Sequence, residues 1–425
     1  MERTLYENCL IILKNELMVA LGCTEPIAIA YAAARAREAL EDTPIRCTVR
    51  CSGNIVKNVM GVTVPNSGGL RGIEVAAVLG VVGGDAQREL QVLESVTADD
   101  IERAKALLAA GFCTCELVED VENLYVEVLL DGADGHAASA EVRDRHNNVT
   151  RVTRDGAALF ARESAQAQPR SAGDKSLLSV ESILEFADEV SFADIEEVIG
   201  RQVEYNTAIS NEGLSGVYGA QAGRVLLGTG QPADPRTRAK AAAAAGSDAR
   251  MSGCPLPVVI NSGSGNQGIT ITMPLVEYAK AYNISRERLF RALAAANLIA
   301  IHQKKYIGSL SAYCGAVSAA CGAGAGIAYM LGGSYELVSR TITNTIATIG
   351  GMVCDGAKSS CAAKIASAVE CALFAYELAK EGHVFQPGEG MVKSTVEETI
   401  KSIGRMGRVG MHETDIEILN IMLGK

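Results

Sequence analysis

The stretch Tyr306-Ile-Gly-Ser-Leu-Ser-Ala-Tyr-Cys-Gly-Ala-Val-Ser-Ala-Ala-Cys-Gly-Ala-Gly-Ala-Gly-Ile-Ala-Tyr-Met-Leu-Gly-Gly-Ser-Tyr335 carries no charged side chain. Roughly 20 apolar residues suffice to cross a bilayer, so a membrane span is one reading. The composition opposes it: Gly, Ala, Ser and Cys dominate, few Leu, Ile or Phe are present to drive insertion, and Lys304-Lys305 is the only basic flank. A helix that is apolar on every side is also what the centre of a large helical domain requires. The stretch therefore predicts a buried helix, and a mostly helical domain around it.

The surrounding sequence agrees. Ser179 to Val190, Phe192 to Tyr205, Arg286 to Ile301, Tyr335 to Ile349 and Lys358 to Leu378 have helical period or helix-forming composition, with Gly-rich joints between them. Towards the N-terminus, residues 8–40 read as helices, with Leu10, Ile11, Leu17 and Val19 at helical spacing. The break Gly22-Cys23-Thr24-Glu25-Pro26 puts Cys23 on a turn. Between 45 and 155 the texture changes to alternation, as in Ile45-Arg46-Cys47-Thr48-Val49-Arg50-Cys51 and Leu124-Tyr125-Val126-Glu127-Val128, with helical Ile101 to Ala110 between. Ala161 to Lys175, rich in Ala, Ser, Gln, Pro and Gly, reads as a linker. The expected fold class is α+β: an N-terminal mixed α/β domain over 1–165, then a mostly α-helical domain over 176–425. A length of 425 residues exceeds what one core usually serves.

The net charge of −11 is spread along the chain without a Lys/Arg block, which argues against nucleic acid and anionic membranes as partners and for a small molecule. The N-terminus, with acids early and no apolar run, predicts a cytoplasmic protein. Twelve cysteines in such a chain point to metal binding or catalysis before disulfides, although most free cysteines simply pack as small hydrophobes.

Three cysteines stand out by their neighbours: Cys314 in Ser-Ala-Tyr-Cys-Gly, Cys354 in Gly-Gly-Met-Val-Cys-Asp-Gly and Cys361 in Lys-Ser-Ser-Cys-Ala. Small residues and turns let backbone N–H groups face the sulfides of an inorganic core. Their wide spacing is unlike the close pairs of zinc ribbons or ferredoxins and by itself proves nothing. The Gly-rich stretch Asn261 to Gly268, containing Ser262, Ser264, Gly265, Asn266 and Gln267, can present N–H groups and amides to a carboxylate, or be a plain connector. Asn54 and Lys57, or Asn54 and Asn58, share a face if their segment is helical, and Asn54 and Asn58 do so on a strand. Lys57 is then a carboxylate holder, a proton carrier, or a solvated lysine. His302, Lys304 and Lys305 are further proton-carrier candidates.

The cysteine set, Gly22-Cys23-Thr24-Glu25-Pro26, the run from Ser52 to Gly61, Ser262-Gly-Ser-Gly-Asn-Gln-Gly268 and Cys354-Asp-Gly-Ala-Lys358 together resemble the L-cysteine desulfidase family, related to the α chain of iron-sulfur L-serine dehydratases. The resemblance spans nearly the whole chain. It implies a [4Fe-4S] cluster on Cys314, Cys354 and Cys361, with one iron open to act as a Lewis acid. It implies non-redox β-elimination of L-cysteine to sulfide, ammonia and pyruvate, with Cys23 as base or passing fourth ligand and Lys57 as a second catalytic candidate. Iron-sulfur serine dehydratases also use a C-terminal cysteine; this chain ends Ile-Met-Leu-Gly-Lys, which favours cysteine over serine as substrate. A base thiol must be a thiolate, which nearby positive charge favours. The expected partners are an amino-acid substrate and a second copy of the chain in a homodimer. The rival readings are an L-serine dehydratase with the same cluster, a pyridoxal-phosphate lyase, which needs a Schiff-base lysine and a phosphate cradle, and a membrane transporter built on 306–335.

Overall fold

The structure is a computed structural model that describes residues 1–162, 173–228, 234–308 and 310–425. It opens with α1 (Arg3–Glu16), β1 (Val19–Leu21), α2 (Thr24–Leu40), β2 (Pro44–Ser52), α3 (Gly53–Val59), α4 (Ile73–Gly83) and α5 (Ala98–Ala109). Then come β3 (Cys113–Val118), β4 (Tyr125–Gly132), β5 (Ala137–Arg143), β6 (Val149–Arg154) and β7 (Ala157–Ala161). The sheet order is β3-β2-β4-β5-β6-β7. Among the described strands only β2 and β3 run parallel, joined through α3, α4 and α5; a parallel pair needs such a crossover. Alternation in β4 buries Val126, Val128 and Leu130, and α2 and α4 cover that face of the sheet. The opposite face carries ion pairs such as Arg46–Asp131 and Arg50–Glu116.

The second part is helical: α6 (Val180–Glu189), α7 (Phe192–Ser215), α8 (Ala222–Leu227), α9 (Pro235–Met251), the short β8 (Pro257–Val259), α10 (Gly265–Tyr282), α11 (Arg286–Ile307), α12 (Gly315–Met330), α13 (Tyr335–Ile349), α14 (Cys361–Lys380), α15 (Val396–Arg405) and α16 (His412–Met422). The fold class is thus the expected α+β, mixed first and helical after. The stretch from Tyr306 contains α12, nearly every residue of which is buried. Glycine is a poor helix former, and packing explains its use here. A Cβ on Gly322 would lie 2.5 Å from the Ala296 carbonyl, and one on Gly326 2.8 Å from the Ala296 methyl. The bare backbone on that face lets α11 press against α12. No helix among the described residues is long and apolar enough to cross a membrane.

Local texture and structure differ at three places. Val19 belongs to β1, which pairs antiparallel with β8 (Val19↔Val259), so the N-terminal helices are separated by a strand that ties the two parts of the chain together. Residues 53–83, inside the alternating region, fold as α3 and α4. Ile269-Thr270-Ile271-Thr272 looks strand-like but lies in α10, where burial on all sides outweighs β-branched preference. One hydrophobic core runs through both parts, joining Ile12, Ile29 and Val49 to Ile271, Leu298 and Val317. Of the expected linker, residues 163–172 lie outside the described residues.

Candidate active site

Three short segments bring Cys314, Cys354 and Cys361 together. The Cys314 N–H donates to Met352 O at 2.9 Å and the Cys354 N–H to Ala312 O at 2.6 Å, a small antiparallel bridge that sets the two thiols side by side. Cys314 then caps α12 and Cys361 begins α14. Each sulfur faces a backbone N–H: Ala316 for Cys314, Gly356 for Cys354 and Lys358 for Cys361. A hydrogen bond from Cys314 pulls the Cys354 thiol down to about 6, helped by the charges of Lys57 and Lys364 against the effect of burial. The same contact, with burial, pushes Cys314 well up. Gly356 is left-handed, at φ +94, and a Cβ there would lie 2.2 Å from the Lys57 carbonyl, so only glycine lets this turn close on α3.

α3 is helical, which settles the face shared by Asn54, Lys57 and Asn58. Lys57 is 1 % exposed and ion-paired with Asp415 of α16, and its Nζ also donates to Cys354 O at 3.4 Å. It is therefore neither solvated nor free. The Asn54 amide donates to the other Asp415 oxygen at 2.8 Å. Asn58 turns inward along its own helix and donates to Asn54 O at 2.8 Å. A cavity of about 270 Å³, lined by Asn123, Ser311, Met411, His412 and Asp415 among others, opens beside this pair.

Cys23 is the N-cap of α2 and 1 % exposed, so the turn does not make it easy to reach. It clusters with Val62 and Met251, and Ala357 and Cys361 pack against that cluster. The expected positive surroundings are also corrected. Burial and the adjacent Glu25 carboxylate, which accepts the thiol hydrogen bond at 3.0 Å, push Cys23 well up, and Arg250 opposes them only in part. Burial works to raise Glu25, but His146, Cys23 and Arg250 hold it down at about 2.

The stretch from Asn261 divides in two. Asn261 and Ser264 exchange backbone hydrogen bonds around Ser262 and Gly263, while Gly265, Asn266 and Gln267 form the first turn of α10. Ser262 donates to Asn261 Oδ1 at 2.9 Å. Gln267 abuts Gly315, next to Cys314. The buried Asn54 Oδ1, Asn266 Oδ1 and Gln267 Oε1 have no protein partner. Of the three proton-carrier candidates, His302 is tied to Glu397 at 2.8 Å and Lys305 donates to the Lys175 and Leu178 carbonyls. Lys304 alone lies near the thiols, and burial pushes it down to about 8 against the pull of Cys354 and Cys314.

Comparison with known proteins gives the family. The family model of the serine dehydratase alpha chain matches residues 87–420. The chain belongs to the serine dehydratase alpha chain family. Proteins named UPF0597 protein are similar over full length: one from Lachnoclostridium phytofermentans is 49% identical, covering 99% of this chain and 100% of its own, and one from Finegoldia magna is 46% identical, covering 97% and 99%. A UPF0597 protein of Treponema denticola is 43% identical over 100% of this chain and 99% of its own. For this family member, the matched region holds Cys314, Cys354, Cys361, the α10 amides and Asp415, whereas Cys23 and Lys57 lie before it.

Sequence reasoning missed Asp415, Lys364 and His146. Asp415 lies 358 residues from Lys57, and no local pattern marks such a pair. Glu25 was visible beside Cys23 but carried no role.

Proposed function

We propose that the chain is an L-cysteine desulfidase, a non-redox lyase that forms sulfide, ammonia and pyruvate. The observation that carries this reading is the convergence of three thiols, each facing a backbone N–H, beside Lys57, Lys304 and Lys364. That donor set suits a [4Fe-4S] cluster: N–H groups and ammonium charges offset thiolate charge. Among the described residues no three His, Cys, Asp or Glu side chains are grouped to hold a single metal ion. When bound on three thiolates, such a cluster supplies an iron with an open position, a Lewis acid for the leaving group.

The chain's own groups supply the rest. The first turn of α10 offers N–H groups to the substrate carboxylate, and the unpartnered amide oxygens of Asn54, Asn266 and Gln267 suit its ammonium group. Cys23, which must first lose its own proton against burial and the Glu25 charge, takes the α-proton as base, and Lys57, held by Asp415, keeps positive charge beside Cys354. Burial of these groups keeps water from the reacting centre. Elimination yields aminoacrylate, which rearranges to the imine and hydrolyses to pyruvate and ammonia. We place the enzyme in the cytoplasm as a homodimer. The family match favours one second reading, L-serine dehydration at the same site.

Anaerobic purification with iron and sulfide counts, and product assays on both amino acids, tests this. About four irons per chain and cysteine-dependent sulfide release are expected. Pyruvate from serine without sulfide from cysteine would select the second reading, and an iron-free protein that still eliminates would sink both.

A further inference from the structure

Arg250, in the last turn of α9, is 2 % exposed. Among the described residues its guanidinium makes one hydrogen bond, from Nε to the Gly22 carbonyl at 2.9 Å, and no ion pair. The carboxylates around it are turned to other groups. Glu25 gives one oxygen to the Cys23 thiol at 3.0 Å and to the Thr24 hydroxyl at 3.2 Å, and its other oxygen faces His146. Asp248, two residues earlier on α9, accepts from the Gly223 N–H at 3.2 Å. A guanidinium carries five N–H donors and a charge that it never loses. One neutral carbonyl does not offset the burial of that charge; a buried cation is normally matched by an anion.

The place of the guanidinium shows which anion it suits. Gly265, the first residue of α10, is not left-handed, so the backbone there does not call for glycine. Space does. A Cβ on Gly265 would stand 2.9 Å from Arg250 Cζ and closer still to Nε, so the bare position is what lets the guanidinium lie against the opening turn of this 18-residue helix. That turn is open: its N-cap, Ser264, makes no side-chain bond to it, and the first N–H groups of a helix have no partner within it and favour negative charge. Asn266 Oδ1 and Gln267 Oε1 of the same turn are buried without a protein partner. At its far side the turn reaches the thiols, where Gln267 abuts Gly315. Arg250 therefore stands between the Gly22-Cys23 turn and a helix start that leads to Cys314.

We propose that Arg250 anchors the α-carboxylate of the substrate, holding it against the open first turn of α10. The proposal rests on reading the site as one that eliminates an amino acid, and it adds the residue that orients that amino acid. A planar guanidinium meets a carboxylate with two parallel N–H bonds, which fix direction as well as position. With the ammonium group held by the amide oxygens of Asn266 and Gln267, two of the four substituents on the α-carbon are then fixed. The α-hydrogen and the leaving group take set directions as a result. The anchor is blind to the β-substituent, so it serves cysteine and serine alike.

The test uses the anaerobically purified holoenzyme for kinetics and the metal-free full chain for binding. In Arg250→Gln, kcat/KM for L-cysteine falls about a hundredfold or more, the scale of removing one partner of a buried charge pair, chiefly through KM and with iron content unchanged. L-cysteinamide keeps the ammonium group and the thiol but lacks the carboxylate. The wild type prefers cysteine to it strongly, and Arg250→Gln uses the two nearly alike, whereas a merely structural loss lowers both and leaves their ratio. In the metal-free chain, L-alanine raises the thermal unfolding temperature and L-alaninamide does not; in Arg250→Gln neither does. A cysteine preference kept in Arg250→Gln overturns the proposal, as does equal stabilisation of the metal-free wild type by alanine and alaninamide. Turnover of serine in place of cysteine overturns the desulfidase reading alone, because serine and serinamide then read the same ratio. If neither amino acid is turned over, the alanine measurement decides on Arg250 by itself. Should Arg250→Gln melt early, Arg250→Lys, which keeps the charge without the fork, decides by the same ratio: a smaller ratio supports the anchor and an unchanged one overturns it.

Discussion

The chain gathers thiols in two places, and the two differ in the donors and charges that surround the sulfurs. In the sheet, Cys47 and Cys51 of β2 face Cys113 and Cys115 of β3, with the Cys51 and Cys115 sulfurs 3.8 Å apart. These residues sit in paired strands, where the ladder takes up backbone N–H groups. Their neighbours are each other and Glu74: the contact with Cys115, then burial and Glu74, push Cys51 up, Cys113 is raised in the same way by Cys47, and Cys115 is lowered by its contact with Cys51. In the helical part, Cys314, Cys354 and Cys361 sit at helix starts and on a turn, facing N–H groups and lysines. Thiol count does not separate a packing cluster from a ligand set; the donors and charges around the sulfurs do.

The strongest way to break this comparison is to delete one thiol from each region. Cys354→Ala is expected to lose nearly all of about four irons per chain, and with them cysteine-dependent sulfide release. Cys51→Ala and Cys115→Ala should keep both. Iron analysis of the three variants decides, and iron loss from a sheet variant would erase the distinction drawn here.

A second test concerns the lysine that the sheet region lacks. Asp415→Ala leaves Lys57 buried without its carboxylate, and breaking a buried pair in this way costs about 3–5 kcal/mol. Urea unfolding should show that loss. The double variant Lys57→Met with Asp415→Leu, which removes both charges, should recover much of it while turnover stays low. Recovery of turnover as well would show that the charge beside Cys354 is dispensable.

Sequence showed part of this. The buried α12 was legible because an uncharged Gly/Ala stretch poor in large apolar residues suits the interior of a helical domain better than a bilayer, and two of the three ligand candidates, Cys314 and Cys354, stood out by glycines near them. Their surroundings were not. Asp415 meets Lys57, and His146 meets Glu25, only through tertiary packing, which no local period records. The same limit hid α10, whose Ile-Thr alternation imitates a strand until neighbouring helices bury all sides. It also made Cys23 look open, since a Gly-Cys-Thr-Glu-Pro turn does not reveal what packs over it.

A third test sharpens the electrostatic contrast in the metal-free protein. Alkylation follows the thiolate fraction. A thiol lowered to about 6 is mostly thiolate above that pH, so Cys354 modification should rise through pH 6 and be level from neutrality upward. Cys51 and Cys113, both raised, should still be gaining rate at the most alkaline pH the fold tolerates. Peptide mass spectrometry across a pH series reads both; a Cys354 rate that climbs steadily in alkali would mean that its neighbours do not hold it as a thiolate.

The smallest effect expected is on the sheet thiols as packing. Cys47 is fully buried under the helices that cover the sheet, and Cys47→Ala removes one heavy atom from a close-packed site, a loss of about 1 kcal/mol, similar to trimming one methyl from a core. Cys47→Val, which refills the space and suits a strand, should restore most of it, with iron content and turnover unchanged in both variants. Chemical denaturation reads the difference. If valine were worse than alanine, the thiol pair with Cys113 would be contributing more than volume, and the sheet cluster would have to be counted as a site with chemistry of its own.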